Sequence, residues 1–158
     1  MLLGRRNPAE LGYVLDDAAR ILVADDDPIL REFAALHLAT PKVTVETVED
    51  GLAAWERLQS SDFDLAMVDL EMPRLDGLGL IMRVREDSRL SGLPIVVVTG
   101  RDDLFAIDRA YEVGATSYVT KPINWRLLTY QLRFVLRADR AARAGAQSGP
   151  PAADGAAA

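Results

Sequence analysis

The chain has 158 residues, 49% hydrophobic and 27% charged, with net charge -6, one histidine and no cysteine. That length holds one domain with a core of ordinary size. The acidic balance argues against a basic nucleic-acid face, and the cysteine and histidine counts exclude disulfides, thiolate metal sites and His-based zinc chemistry.

Residues 1–18 stand apart from the repeat that follows. Met1-Leu2-Leu3-Gly4-Arg5-Arg6 has no hydrophobic core long enough for a signal peptide. No apolar run anywhere approaches the roughly 20 residues that span a bilayer, so no membrane contact and a cytoplasmic location are expected. Asn7-Pro8-Ala9-Glu10 has the form of a capping box with proline at the first helical position, which predicts a short extra helix.

The first strand, 20–24, empties into Asp25-Asp26-Asp27. Pro28 then starts a helix whose buried face is Leu30, Phe33, Ala34, His37 and Leu38, at spacings of three and four. Asp27, just before Pro28, fits a helix cap. The second strand is 43–47, and Asp50-Gly51 opens the second helix. The third strand, 64–68, is an apolar run ending on Asp69, after which Leu70-Glu71-Met72-Pro73-Arg74-Leu75-Asp76-Gly77 reads as a loop and the start of the third helix. The fourth strand, 95–98, is β-branched throughout and therefore central; Thr99 and Gly100 follow it. Asp102-Asp103 opens the fourth helix and Gly114 ends it. The fifth strand, 116–119, runs on to Lys121-Pro122.

The last helix carries two apolar stripes. Leu128, Leu132, Val135 and Leu136 form the core stripe. Leu127, Tyr130 and Phe134 form a second one, lined by Arg126, Arg133 and Arg137. A helix with two apolar stripes must bury both, the second against a twin subunit, a target protein or the chain's own N-terminal segment. From about Gly145 the composition has almost nothing to bury. The divisions are therefore 1–18, 19–143 and a disordered tail, 144–158.

Strands alternating with helices predict an α/β fold, a doubly wound five-stranded parallel sheet with order 2-1-3-4-5 and helices on both faces. Strands one and three then flank the switch point, where open sheets collect ligands. Asp25, Asp26 and Asp69 converge there. Two carboxylates about 4 Å apart repel by about 4 kcal/mol at an effective dielectric of about 20, so the crevice calls for a cation. Magnesium suits it, held by Asp26 and Asp69, with Asp25 beside them and the Glu71 backbone carbonyl completing the protein's share. Thr99 and Lys121 reach the same edge. An acidic pair, an acceptor carboxylate, a hydroxyl and an ammonium are a kit for phosphoryl transfer.

On these residues the chain, over about 19–140, resembles the receiver domain of bacterial response regulators, a flavodoxin-like fold of two-component systems. The resemblance implies Asp69 as phosphoacceptor, Asp25 and Asp26 as the magnesium-holding pair, Thr99 as switch hydroxyl, Tyr118 as switch aromatic, and Lys121 as the family's lysine. It also implies a cis Lys121–Pro122 bond, a small Gly100 that leaves the acyl phosphate accessible, and Glu71 and Arg101 at positions that tune phosphate lifetime. The implied donor is a sensor histidine kinase or phosphotransfer protein. The implied output is a remodelled surface of helix four, strand five and helix five, through which the chain can also form a homodimer. His37, on the apolar stripe, is read as core and not as a phosphohistidine; Trp55 and Trp125 are read as packing residues.

The expected role is thus a phosphorylation-dependent signalling module, not an enzyme beyond its own phosphorylation and dephosphorylation, acting alone without a DNA-binding output. The alternatives are a receiver cut from a larger regulator, such as a cyclase or hybrid kinase, and a haloacid-dehalogenase-like phosphatase. For the phosphatase, Asp25 and Asp27 have the right spacing, but only Asp139 and Asp154 follow Lys121 to supply a further acidic pair.

Overall fold

The computed structural model describes Leu15 and residues 17–147. Five strands alternate with five helices: β1 Ala19–Ala24, α1 Pro28–Leu38, β2 Val43–Val48, α2 Gly51–Ser60, β3 Leu65–Val68, α3 Gly77–Glu86, β4 Ile95–Thr99, α4 Leu104–Val113, β5 Ser117–Thr120 and α5 Trp125–Gln147. All pairings are parallel and the order is β2-β1-β3-β4-β5, as the sequence predicts. The short helix expected at Asn7–Glu10 lies outside the described residues, as does the chain from 148 onward.

Alternation along each central strand divides the core in two. Leu22, Ala24, Ala66, Val68, Ile95 and Val97 face α2, α3 and α4, where Ala54, Leu58, Leu80, Ile81, Val84, Ala106 and Ala110 cover them. Ile21, Val23, Leu65, Met67, Val96 and Val98 face α1 and α5, against Leu30, Ala34, Leu38, Leu128, Leu132, Val135 and Leu136. The inner strands β1, β3 and β4 are buried nearly throughout. The outer strands β2 and β5 are only partly covered, which fits their mixed composition.

Aspartate side chains fix where four helices begin. Asp27, Asp50, Asp76 and Asp103 accept the backbone N–H of Ile29, Ala53, Gly79 and Ala106 at 2.8–2.9 Å. Gly114 ends α4 with φ +118°, a left-handed cap natural to glycine. On the side of the sheet away from the strands' carboxyl ends, Arg85 donates to the carbonyls of Ser91, Leu93 and Gly114, tying α3 to the end of α4.

The buried face of α1 is narrower than its spacing suggests. Leu30, Ala34 and Leu38 are buried, whereas Phe33 and His37 are exposed. The i, i+4, i+8 row faces the sheet, and the two rings fall at its rim. There they stack on each other at 5.9 Å, and His37 stacks on Trp125 at 5.1 Å. His37 is therefore a surface residue held by aromatic neighbours, not a core residue. Trp55 and Trp125 are partly buried against the two core clusters. At the other end, α5 continues through Gln147, so residues 144–147, given to the tail by composition, are helical.

Candidate functional site

Because every strand points the same way, four strand ends deliver their next polar residue to one edge. β1 leads into Asp25, β3 into Asp69, β4 ends on Thr99 and β5 leads into Lys121. Asp25, Asp69 and Thr99 are buried, and Asp26 is exposed at the mouth. Carboxylate oxygens of Asp25, Asp26 and Asp69 all lie within 4.8 Å of one another. The Lys121 ammonium bridges two of them, with Nζ 2.9 Å from Asp25 Oδ2 and 2.8 Å from Asp69 Oδ2. The Lys121–Pro122 bond is cis.

Burial pushes the Asp25 carboxyl above the ordinary aspartate value. The Lys121 and Asp27 N–H hydrogen bonds oppose that rise, while the Asp69 charge adds to it. Burial alone would lower the Lys121 ammonium, but hydrogen bonds to Asp69 and Asp25 outweigh it and hold the group above its ordinary value. The donor set is all oxygen and anionic, which fits a hard divalent cation such as magnesium. Asp25, Asp26 and Asp69 are the residues that would hold it. Glu71 is tied to the same group, its N–H donating to Asp69 Oδ1 at 3.1 Å.

Thr99 and Tyr118 converge next to this cluster. Thr99 Oγ1 accepts the Arg101 N–H at 3.4 Å, and the Tyr118 hydroxyl donates to the Arg101 carbonyl at 2.6 Å. Both therefore meet on the backbone of one residue of the β4–α4 connection. Burial raises the Tyr118 hydroxyl above its usual value. The Arg101 guanidinium itself pairs with Asp103, at 2.9 and 3.3 Å, and lines a groove of about 540 Å³ with Asp26, Glu71 and Phe105. On α5, Leu127, Tyr130 and Phe134 are all exposed. Leu104 and Phe105 of α4, not singled out by sequence, are exposed as well.

Sequence reasoning also passed over Arg31, whose Nη1 donates to the Asp25 carbonyl at 2.8 Å. Its signal was available, since a cation one turn into the helix after an acidic run lies over that run. The further acidic pair a phosphatase would need is not formed by the described residues. Asp139 lies on α5, paired with Arg143 at 2.8 Å, and Asp154 is outside them.

Among the described residues no helix is long and apolar enough to cross a membrane. The sequence profile of the response regulator receiver domain matches residues 21–133. The transcriptional regulatory protein CseB of Streptomyces coelicolor is 33% identical over 121 residues, covering 77% of this chain and 50% of that protein. The heme response regulator HssR of Staphylococcus aureus is 36% identical over 116 residues, covering 73% and 50%. The chain thus spans about half the length of the curated relatives it matches. The solved structure of the chemotaxis response regulator CheY4 of Vibrio cholerae superposes with TM-score 0.71 at 30% identity, over 75% of this chain and 98% of that one. With the family's strand order and its residues gathered at one sheet edge, the chain belongs to the response regulator receiver domain family, the phosphoacceptor module of two-component signalling.

Proposed function

We propose that Asp69 accepts a phosphoryl group from the phosphohistidine of a sensor histidine kinase or phosphotransfer protein. A carboxylate oxygen of Asp69 attacks phosphorus, the P–N bond breaks, and the donor imidazole leaves with the electron pair. Magnesium, when bound, neutralises charge on the phosphoryl oxygens and on the carboxylates around them. Lys121 moves its ammonium from the Asp69 carboxylate to a phosphoryl oxygen, and the Thr99 hydroxyl donates to another. The observation that supports this reading best is the single ammonium shared by Asp25 and Asp69, beside an exposed Asp26. It is a site with cation demand, a buried nucleophile and an open mouth.

Replacing the Asp69 carboxylate by an acyl phosphate adds about one negative charge and three acceptor oxygens, which would pull the Thr99 hydroxyl inward. Thr99 and Tyr118 hold the same residue, Arg101, so the change has a short route to the β4–α4 connection and from there to the surface of α4, β5 and α5. That surface is the proposed contact with a downstream protein or a second copy of the chain, in the cytoplasm. Glu71 and Arg101, on the walls of the groove beside Asp26, are the proposed determinants of how long the acyl phosphate lasts. A stand-alone action and the exclusion of nucleic acid are not retained, since CseB, of which the chain spans half, is named as a transcriptional regulator.

The test is incubation with magnesium and a small phosphodonor such as acetyl phosphate, read by intact mass. The chain should gain one phosphoryl group and Asp69→Asn none. Magnesium with beryllofluoride at about 100 times its dissociation constant should stabilise the parent by roughly 2.7 kcal/mol, and leave Asp69→Ala unchanged. A phosphoryl group retained by Asp69→Asn, or never taken up by the parent, would overturn the reading.

A further inference from the structure

The β3–α3 loop that follows Asp69 is fastened on its far side, by residues the phosphoryl chemistry does not use. Asp50, the N-cap of α2, is buried, yet capping occupies one of its oxygens: Oδ1 accepts the Ala53 N–H at 2.8 Å. The other, Oδ2, pairs with Nε of Arg74 at 3.1 Å. Arg74 is also the non-glycine residue with positive φ among the described residues, at +70°. A side chain is disfavoured there and persists where its surroundings fix it.

The loop backbone lies directly on the first turn of α2. A Cβ on Gly51 would fall 1.9 Å from the Leu75 carbonyl oxygen, and one on Gly77 would fall 2.4 Å from the Asp69 carbonyl oxygen. The loop closes through the Gly77 N–H, which donates to the Leu70 carbonyl at 3.0 Å. Inside that closed turn sits Glu71, whose N–H holds the Asp69 carboxylate at 3.1 Å.

Resting on the function proposed above, we infer that Asp50 and Arg74 are positioning residues: their ion pair latches the loop in a strained turn that sets Glu71 against Asp69 and so shapes the cation and phosphoryl pocket. Glycine at position 74 would adopt this backbone without strain. What arginine adds is a cation for a buried carboxylate on the neighbouring loop, and the pair joins the β2–α2 connection to the acceptor loop.

Two variants of the whole chain test this. Asp50→Asn keeps an oxygen for the helix cap and removes the ion pair; Arg74→Gly removes the pair while relieving the turn. Both are expected to weaken magnesium binding, measured by isothermal titration, by roughly tenfold, as for other supports of a metal ligand. In metal-free protein, both should speed amide hydrogen exchange at Glu71 and Gly77. Arg74→Gly should do so with a smaller loss of melting temperature than Arg74→Ala, which removes the same pair but keeps the strained backbone. Parental affinity and parental exchange in both variants would overturn the latch. If the parent bound no magnesium and Asp69 took no phosphoryl group, the functional reading would fall instead, while exchange in the metal-free protein would still decide whether the pair holds the loop.

Discussion

The Lys121 ammonium lies 2.8 Å from the Asp69 carboxylate across the carboxyl edge of the sheet, and 2.9 Å from Asp25. One cation thus serves two buried anions, which leaves the pocket short of positive charge and prepared for a divalent ion. Removing one partner of a buried pair costs about 3–5 kcal/mol. The Lys121 side chain keeps 24% of its surface exposed, which brings the figure for Lys121→Ala down to roughly 1–3 kcal/mol. Thermal unfolding without magnesium should show that loss, and added magnesium should recover more stability in the variant than in the parent. The folded-state value of Lys121 is raised, so its contribution is fully present below the ordinary lysine value of about 10.4 and is lost as pH climbs through the raised one. Parent and variant should converge there. Equal melting temperatures at neutral pH would show that the bridge contributes nothing.

Asp25 gives magnesium binding a pH dependence of definite sign. Burial raises its carboxyl, so in the metal-free protein the proton is held above the ordinary aspartate value of about 3.9. The ion and that proton compete for the same carboxylate. Affinity should be constant near neutrality and fall as pH drops through the raised value, before ordinary carboxylates titrate. Without magnesium the same group contributes stability below about pH 3.9 that is lost as pH rises through its raised value. Titration calorimetry at several pH values checks the first statement. An affinity that stays flat down to the ordinary aspartate range would contradict it.

The parallel sheet was legible because its signals are local and repeated: apolar runs, aspartates at helix starts and a polar residue at each strand end. The positions of Asp25, Asp69, Thr99 and Lys121 followed from strand direction alone. What sequence did not reveal depends on contacts between elements. Phe33 and His37 have the spacing of a core stripe, but α1 presents only its i, i+4, i+8 row to the sheet, and the rings found Trp125 at the rim. Asp50 reads as a cap and is one. Its second role depends on Arg74, 24 positions later, arriving beside it in a left-handed turn that no periodicity encodes.

The outer face of α5 should matter to assembly and not to folding. Tyr130 and Phe134 are exposed, and Arg133 and Arg137 line the same concavity. Surface substitutions of this kind usually change stability by less than about 0.5 kcal/mol. Tyr130→Asp with Phe134→Asp should therefore melt with the parent and bind magnesium equally well. In sedimentation with magnesium and beryllofluoride, the parent is expected to dimerise and the double variant to remain monomeric. A variant that unfolds early would mean the face is already covered within the chain, and an unchanged mass would remove the twin-subunit contact from this face.

Arg85 separates stability from site chemistry. Its guanidinium is half buried, its value lowered by that burial, and it donates to the carbonyls of Gly114, Ser91 and Leu93 at 2.7–3.0 Å. Helices here run against the strands, so the ends of α3 and α4 that it joins lie at the edge opposite Asp69. Arg85→Met keeps the apolar stem and strips the donors, leaving carbonyls without their charged partner, a loss of about 2–4 kcal/mol. Gly114→Ala strikes the same joint, since its Cβ would fall 2.7 Å from Arg85 Cγ in a backbone at φ +118°. Because both changes act at this one contact, their combined cost should be less than the sum. Both should lower the denaturation midpoint while magnesium affinity and the yield of phosphorylated Asp69 stay at parental values below that midpoint. A matching fall in magnesium affinity would show that the two edges of the sheet are coupled through α3 and α4.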